Sequence, residues 1–181
     1  MKNEKSSASA TKPALEAMND LRLEAARKRL AESSGQEDAI EGLREIVANF
    51  LGSEEMGLFR FDQATESFQF YWSFGVELST SDLLLALGDK GLQRVMRGEC
   101  HIELGIREGS VAEPKAQAFV PISVADQTIA VLAVLRLLPQ KVAFDKSDME
   151  LFKLLSKEAA KPLFDAASRE IQGTDRTGMP V

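Results

Sequence analysis

Two apolar, β-branched runs in the second half of the chain are separated by a short polar break at residues 125–127. This pattern predicts a hairpin of two buried strands, at residues 117–124 and 129–135. The second run, Ile129 to Leu135, is apolar at every position, so neither of its faces can be left to water. We therefore expect a sheet that is covered on both sides.

Helices are predicted at both ends of this region. Residues 14–32 are strong helix formers with only a thin apolar face, and residues 36–51 carry apolar side chains at clean helical spacing. A last helix begins after Asp145, which can cap it, and must kink or restart at Pro162.

Strands and short helices alternate in the middle of the chain. The strands are predicted at residues 56–61, 68–74 and 100–104, and the short helices at residues 80–87 and 91–97. In the second strand we expect one shared face, packed in the core rather than lining an apolar ligand cavity, formed by Phe68, Phe70, Trp72 and Phe74. The order of elements predicts an α+β fold with an antiparallel sheet flanked by helices.

Length and charge narrow the class of protein. A chain of 181 residues suits one domain with tails, and we place polar tails at residues 1–13 and 173–181, a lead-in helix at 14–35 and the domain at 36–172. The net charge of −6 argues against nucleic acid or an anionic membrane as a partner. No apolar run approaches membrane-spanning length and the start lacks a secretory signal, so we expect a cytoplasmic protein.

Four segments, in this order and spacing, resemble the GAF domain, a sensor fold related to PAS. They are the helix and strand at residues 40–62, the segment Gly91–Glu99, the proline-bearing strand Ala118–Val124 and the start of the last helix at Phe144–Ala160. The resemblance covers residues 36–164. It implies a GAF-like central antiparallel sheet of five to six strands, with the N- and C-terminal helices on one face and the short helices and the 105–114 loop on the other. It also implies that Pro121, which has no N–H to donate, lies at a bulge or faces away from a partner strand.

The resemblance implies a non-catalytic regulatory or signalling module that acts through a protein partner. In such sensors flanking helices pair across a two-fold axis, and the homodimer interface expected here contains Leu15, Met18 and Leu30. The other interpretation of residues 14–32 is a solvated helix that packs on its own domain.

A small-molecule sensor is the alternative function. A nucleotide or metabolite would bind on the sheet face under the 105–114 loop, and by analogy with the fold the lining residues would be Tyr71, His101, Glu103, Arg107 and Phe119. The loop is too short to hold the helical lid that many family members have, so we expect a shallow pocket.

Cys100-His101 is the one pair that suggests covalent chemistry. A bilin anchor or a redox thiol needs a context that is missing here, and neighbours on a strand point to opposite faces, so the two side chains cannot form a nucleophilic pair. We expect Cys100 to be a small buried hydrophobe and His101 to point outward. A single cysteine excludes a disulfide, a Cys-rich zinc site and the thiol pair of the GAF branch that reduces methionine sulfoxide. We therefore expect a protein that is not an enzyme and that binds neither a metal ion nor a cofactor.

Overall fold

Helices and strands follow the predicted order in a computed structural model, which describes residues 11–105, 115–141 and 143–165. The helices are α1 (Thr11–Ala31), α2 (Gln36–Ile46), α3 (Thr80–Met96) and α4 (Lys146–Glu158). The strands are β1 (Met56–Asp62), β2 (Ser67–Phe74), β3 (His101–Gly105), β4 (Lys115–Val124) and β5 (Gln127–Val134). Most of the predicted N-terminal tail, the predicted C-terminal tail and residues 106–114 lie outside the described residues.

The five strands form one antiparallel sheet in the order β2-β1-β5-β4-β3. The apolar strand β5 is therefore central, with β1 on one side and β4 on the other. The β4–β5 hairpin closes at Ala125 and Asp126, which both have positive φ, at 48° and 63°. Two such residues are typical of a tight two-residue hairpin turn. The predicted hairpin is confirmed.

Pro121 lies where β4 has only one partner strand. It is opposite Val131 of β5, whereas the pairing of β4 with β3 ends at Phe119. A register shift follows directly after Ile122. The missing N–H of the proline is tolerated because no third strand of the described sheet reaches this position, as the family resemblance implied.

The sheet is covered on both faces, as its central strand requires. On one face α1, α2 and α4 pack on side chains such as Leu132, which is fully buried among Leu43 and Leu155. On the other face α3 packs on Val131, the next residue of β5. The α+β architecture, with the terminal helices on one face and the short helices on the other, is confirmed.

The strand β2 differs from its predicted alternation at Tyr71. Leu58 is opposite Trp72, and the next residue along β1 is opposite Phe70, so Tyr71 is the extra residue of a β-bulge. A bulge interrupts the alternation of side chains along a strand. Phe68 is buried on the α3 face, but Trp72 packs on the face of the terminal helices. The prediction that the four aromatic side chains of this strand share one face is wrong.

The helix ends follow the local chemistry of the chain. Ser79 and Asp82 form a capping box at the start of α3, and Asp145 and Asp148 form another at the start of α4. Gly88, at φ 57°, divides α3 into the two short helices that were predicted. Beyond α4 the chain restarts in a π-helical turn, Lys161–Asp165, which contains Pro162.

Candidate functional site

The helix α1 consists of two segments with opposite surroundings. Every described side chain from Lys12 to Met18 is exposed, and we call residues 12–18 the projecting segment. Residues 19–31, the docked segment, bury Ala26 and Leu30 in the core at 0% and 2% exposure. The predicted interface residue Leu30 is therefore a core residue, and its assignment to a dimer surface is wrong.

The apolar stripe of the docked segment continues into the projecting segment. Leu15 precedes Arg22 by seven residues, Ala26 by 11 and Leu30 by 15, which places all of them on one side of a helix. Leu15 and Met18 are nevertheless 64% and 68% exposed. The described part of the domain ends before it can cover them, and an apolar helix surface is left open.

A buried carboxylate connects the docked segment to α4. Asp148 is fully buried, and its Oδ1 accepts hydrogen bonds from Arg22 Nη2 and from Lys141 Nζ, each at 2.8 Å. Its Oδ2 accepts the backbone N–H of Asp145 at 2.8 Å. One side chain thus joins α1, the start of α4 and the segment that follows β5.

A second clamp joins α1 to α2. Arg29 donates from Nε to Glu45 at 2.7 Å and from Nη2 to Asp38 at 2.9 Å, and its guanidinium lies against Gly42. The hydrogen bond to Glu45 raises the pKa of Arg29. The backbone N–H of Ser34 and the Arg29 guanidinium lower the pKa of Asp38. Both clamps fall within the docked segment.

A cleft of about 540 Å³ opens where the ends of α1 and α4 meet the start of α2. Its wall includes Arg27, Lys157 and Lys161, but Arg27 is engaged with Glu158 through Nε at 3.1 Å. The cleft lies beside the terminal helices. It is therefore distant from the α3 face, on which the alternative function was predicted.

Three of the predicted ligand residues do come together on the α3 face. The His101 ring stacks on Phe119 with centroids 6.2 Å apart, and Nε2 of His101 lies 3.0 Å from Oε1 of Glu103. A Cβ built on Gly91 of α3 would stand 2.7 Å from Cδ2 of His101, so this glycine admits the ring. The side chain of His101 is 13% exposed, and the prediction that it points outward is wrong.

The other two predicted ligand residues are not part of this group. Tyr71 packs edge to face on Phe164, with ring centroids 5.9 Å apart, on the side of the terminal helices. Alternation from Phe68 and Phe70 already places it on that face, so Tyr71 cannot line a pocket shared with His101. Arg107 lies outside the described residues.

Cys100 packs against the helical core, on the side of the sheet opposite His101. Burial raises the pKa of its thiol to about 11, so at neutral pH it is a protonated, weakly nucleophilic group. The predicted separation of Cys100 and His101 on opposite faces is confirmed. The prediction that Cys100 acts as a small hydrophobe agrees with this packing.

In the described ranges, no cluster of three or more His, Cys, Asp or Glu side chains has the arrangement to bind a metal ion. Across the same residues, every helix is too short or too polar to span a bilayer.

Comparison with known proteins gives the fold. No family model and no curated protein matches the sequence. The GAF domain of a phosphoenolpyruvate-protein phosphotransferase from Coxiella burnetii superposes with a TM-score of 0.60 at 18% identity, covering 86% of this chain and 98% of that one. The corresponding Acinetobacter domain gives a TM-score of 0.57 at 17% identity, covering 87% and 98%. The GAF domain of the potassium sensor histidine kinase of Escherichia coli gives 0.53 at 10% identity, covering 84% and 98%.

The chain has the GAF fold.

Within this GAF fold, sequence reasoning missed the residues that hold α1 in place. Arg22 and Arg29 lie seven residues apart on the same side of α1 as Ala26. Charged residues occur on every side of this helix, so their placement alone does not indicate which of them dock. From the sequence, Asp148 is only an acidic residue in the first turn of α4, because its burial depends on how α1 packs.

Proposed function

We propose that this chain is a non-catalytic regulatory module of the cytoplasm, with the GAF fold, that signals through protein–protein contacts and forms a homodimer through the projecting segment of α1. The observation that carries the proposal is the uncovered apolar surface at Leu15 and Met18 on a helix otherwise clamped to the domain. The GAF domains of the phosphotransferases and of the sensor histidine kinase support a role in regulation. Binding of a partner or ligand would shift how the helices pack.

A second copy of the chain is the occupant that fits this surface, because its own projecting segment presents the same two apolar side chains. In an antiparallel pair of projecting segments, a two-fold axis between Leu15 and Met18 brings Leu15 of one copy opposite Met18 of the other. Such a pairing buries both apolar side chains of each copy. Glu16 and Asp20 stay outside it, because they project from other sides of the helix.

The proposed dimer should be dissociable. A helix pair of this length buries far less than the roughly 800 Å² per partner that is typical of a stable interface. A modest association constant suits a regulatory contact, because a small change in the position of α1 can then change the fraction of dimer.

Sedimentation velocity over a range of protein concentrations tests the proposal. We expect a monomer–dimer equilibrium for the unmodified chain and a monomer for the double variant Leu15→Glu/Met18→Glu, since buried carboxylates would oppose one another. Leu85→Glu is the matched control, because Leu85 is 81% exposed on α3 and should leave the equilibrium unchanged. The proposed interface would be refuted if the unmodified chain stayed monomeric at all concentrations, or if the double variant still dimerised.

The second candidate function is a small-molecule sensor, favoured by the grouping of His101, Glu103 and Phe119 beside α3. A stacked imidazole next to a carboxylate can hold a polar, flat ligand against the sheet. Thermal-shift screening against nucleotides tests it: a ligand that binds only the folded state raises Tm, and His101→Ala should abolish that rise. Tyr71→Phe, on the opposite face, is the control and should keep it. Equal loss in both variants would contradict a site on the α3 face.

A further inference from the structure

The contact between α1 and α4 shares one carboxylate oxygen between two cations. Arg22 and Lys141 both donate to Oδ1 of Asp148, while Oδ2 is occupied by the N–H of Asp145. Only Arg22 belongs to α1; the other two donors belong to the segment from β5 to the start of α4. If α1 moves away, Asp148 keeps a cation and a backbone donor. The usual penalty for leaving a buried charge unpaired is therefore avoided.

On the α1 side of the same contact, some buried polar atoms lack hydrogen-bond partners. Asn19 donates from Nδ2 to Glu150, but Oδ1 of Asn19 is buried without a partner, and so is Nε of Arg22. Among the described residues only Ser123 has another such atom. Buried polar atoms without partners oppose docking, because water would satisfy them in the undocked state. The first turns of the docked segment are thus held by two interactions, Arg22–Asp148 and Asn19–Glu150, and opposed by two buried polar atoms without partners.

The rest of the docked segment has no such conflict. Ala26 and Leu30 are buried in the core, and Arg29 is bonded to both Glu45 and Asp38. The helix can therefore open from its N-terminal end as far as about residue 24 while residues 26–31 stay in place. Such local opening is the expected behaviour of a segment with few buried apolar contacts.

We propose that the Arg22–Asp148 pair is a releasable latch that sets the position of residues 12–24 and thereby regulates the homodimer. The proposal rests on the proposed function, since the surface it positions is the one that contains Leu15 and Met18. In the latched state the projecting segment has one fixed direction from the domain. When the Arg22–Asp148 pair is broken, the projecting segment can take many directions. The entropy cost of ordering it again weakens the pairing of two copies.

Hydrogen–deuterium exchange of the whole chain tests the latch independently of the dimer. The dimer-blocked variant Leu15→Glu/Met18→Glu is used as the background, so that pairing of two copies cannot protect α1. In Arg22→Gln we expect the protection of amides in residues 14–24 to fall about tenfold or more, as for loss of a hydrogen bond to a charged group. The protection of residues 26–31 and of α4 should stay within about threefold of its starting value.

Two variants control for an unspecific loss of structure. Arg27→Gln removes an exposed arginine of the same helix that is bonded to Glu158, and should change protection by less than about threefold. Arg22→Lys keeps a cation at the latch and should restore part of the protection. Unchanged protection of residues 14–24 in Arg22→Gln overturns the latch. An equal loss along all of α1 and α4 overturns it too, because Arg22 would then be an ordinary fold contact.

The link to the dimer is tested by sedimentation in the native background. Arg22→Gln should raise the dimer dissociation constant several-fold, and Arg27→Gln should leave it unchanged. If residues 14–24 lose protection but the dissociation constant stays the same, regulation by the latch is refuted while the dimer stands. If the native chain never dimerises, the proposed function is refuted, and the exchange experiment still decides by itself whether the latch exists.

Discussion

The two segments of α1 differ in what surrounds them and hardly at all in sequence pattern. Leu15 and Leu30 lie on the same side of one helix, but Leu15 is 64% exposed and Leu30 is 2% exposed. The docked segment gains its order from the core and from Arg22 and Arg29, whereas within the described residues the projecting segment has only its helix propensity to order it. Isolated helices of this length are marginal in water. A projecting segment of this kind is suited to be ordered by another molecule.

The largest difference between the segments should appear on truncating the two leucines. Leu30→Ala should lower the free energy of unfolding by about 2–4 kcal/mol, since it leaves a cavity in the core. Leu15→Ala should change the free energy of unfolding by no more than about 0.5 kcal/mol in the monomer, because an exposed side chain makes few packing contacts that truncation could remove. Urea denaturation at low protein concentration measures both. Equal effects would mean that the helix docks over its whole length.

A smaller difference is expected between the arginines of the docked segment. Arg29→Gln removes two ion pairs between α1 and α2 and should cost about 1 kcal/mol of stability. Arg27→Gln removes ion pairs to Glu24 and Glu158 at the exposed surface, and its cost should be near zero. The same urea titrations distinguish them. A larger cost for Arg27→Gln would show that the Arg27–Glu158 pair, rather than the two Arg29 ion pairs, anchors this part of the helix.

The smallest expected effect is a contribution of Asp38 to acid stability. The backbone N–H of Ser34 and the Arg29 guanidinium lower the pKa of Asp38 in the folded chain. A depressed folded pKa gives stability that is present above the ordinary carboxyl pKa of about 4 and is lost as the pH falls through the folded value. Asp38→Asn should therefore flatten the loss of stability below about pH 4. Unfolding curves at several acidic pH values measure the slope, and an unchanged slope would contradict the clamp.

The local elements and the layered fold could be predicted because they depend on short-range pattern. The apolar run of β5 required cover on both faces, and Asp145 marked the start of α4. The two short helices that Gly88 separates within α3 were predicted from the same kind of pattern.

The predictions that failed depend on which residues meet across the fold. The bulge at Tyr71 moves half of an aromatic strand to the other face, and no alternation in the sequence indicates an extra residue. Helical periodicity cannot say where the domain stops covering α1, so Leu30 was grouped with Leu15 and Met18. The inward turn of His101 depends on Gly91, ten residues away on a different element. Each of these is a tertiary effect on a correctly predicted element.

Disulfide trapping of the projecting segment tests the central claim most directly. In a Cys100→Ser background, Leu15→Cys lies close to the proposed two-fold axis, and Lys28→Cys, exposed on the docked segment, is the control. Under mild oxidation the account predicts a covalent dimer for Leu15→Cys and a monomer for Lys28→Cys. Equal cross-linking at both positions, or none at Leu15→Cys, would contradict a homodimer formed by the projecting segments.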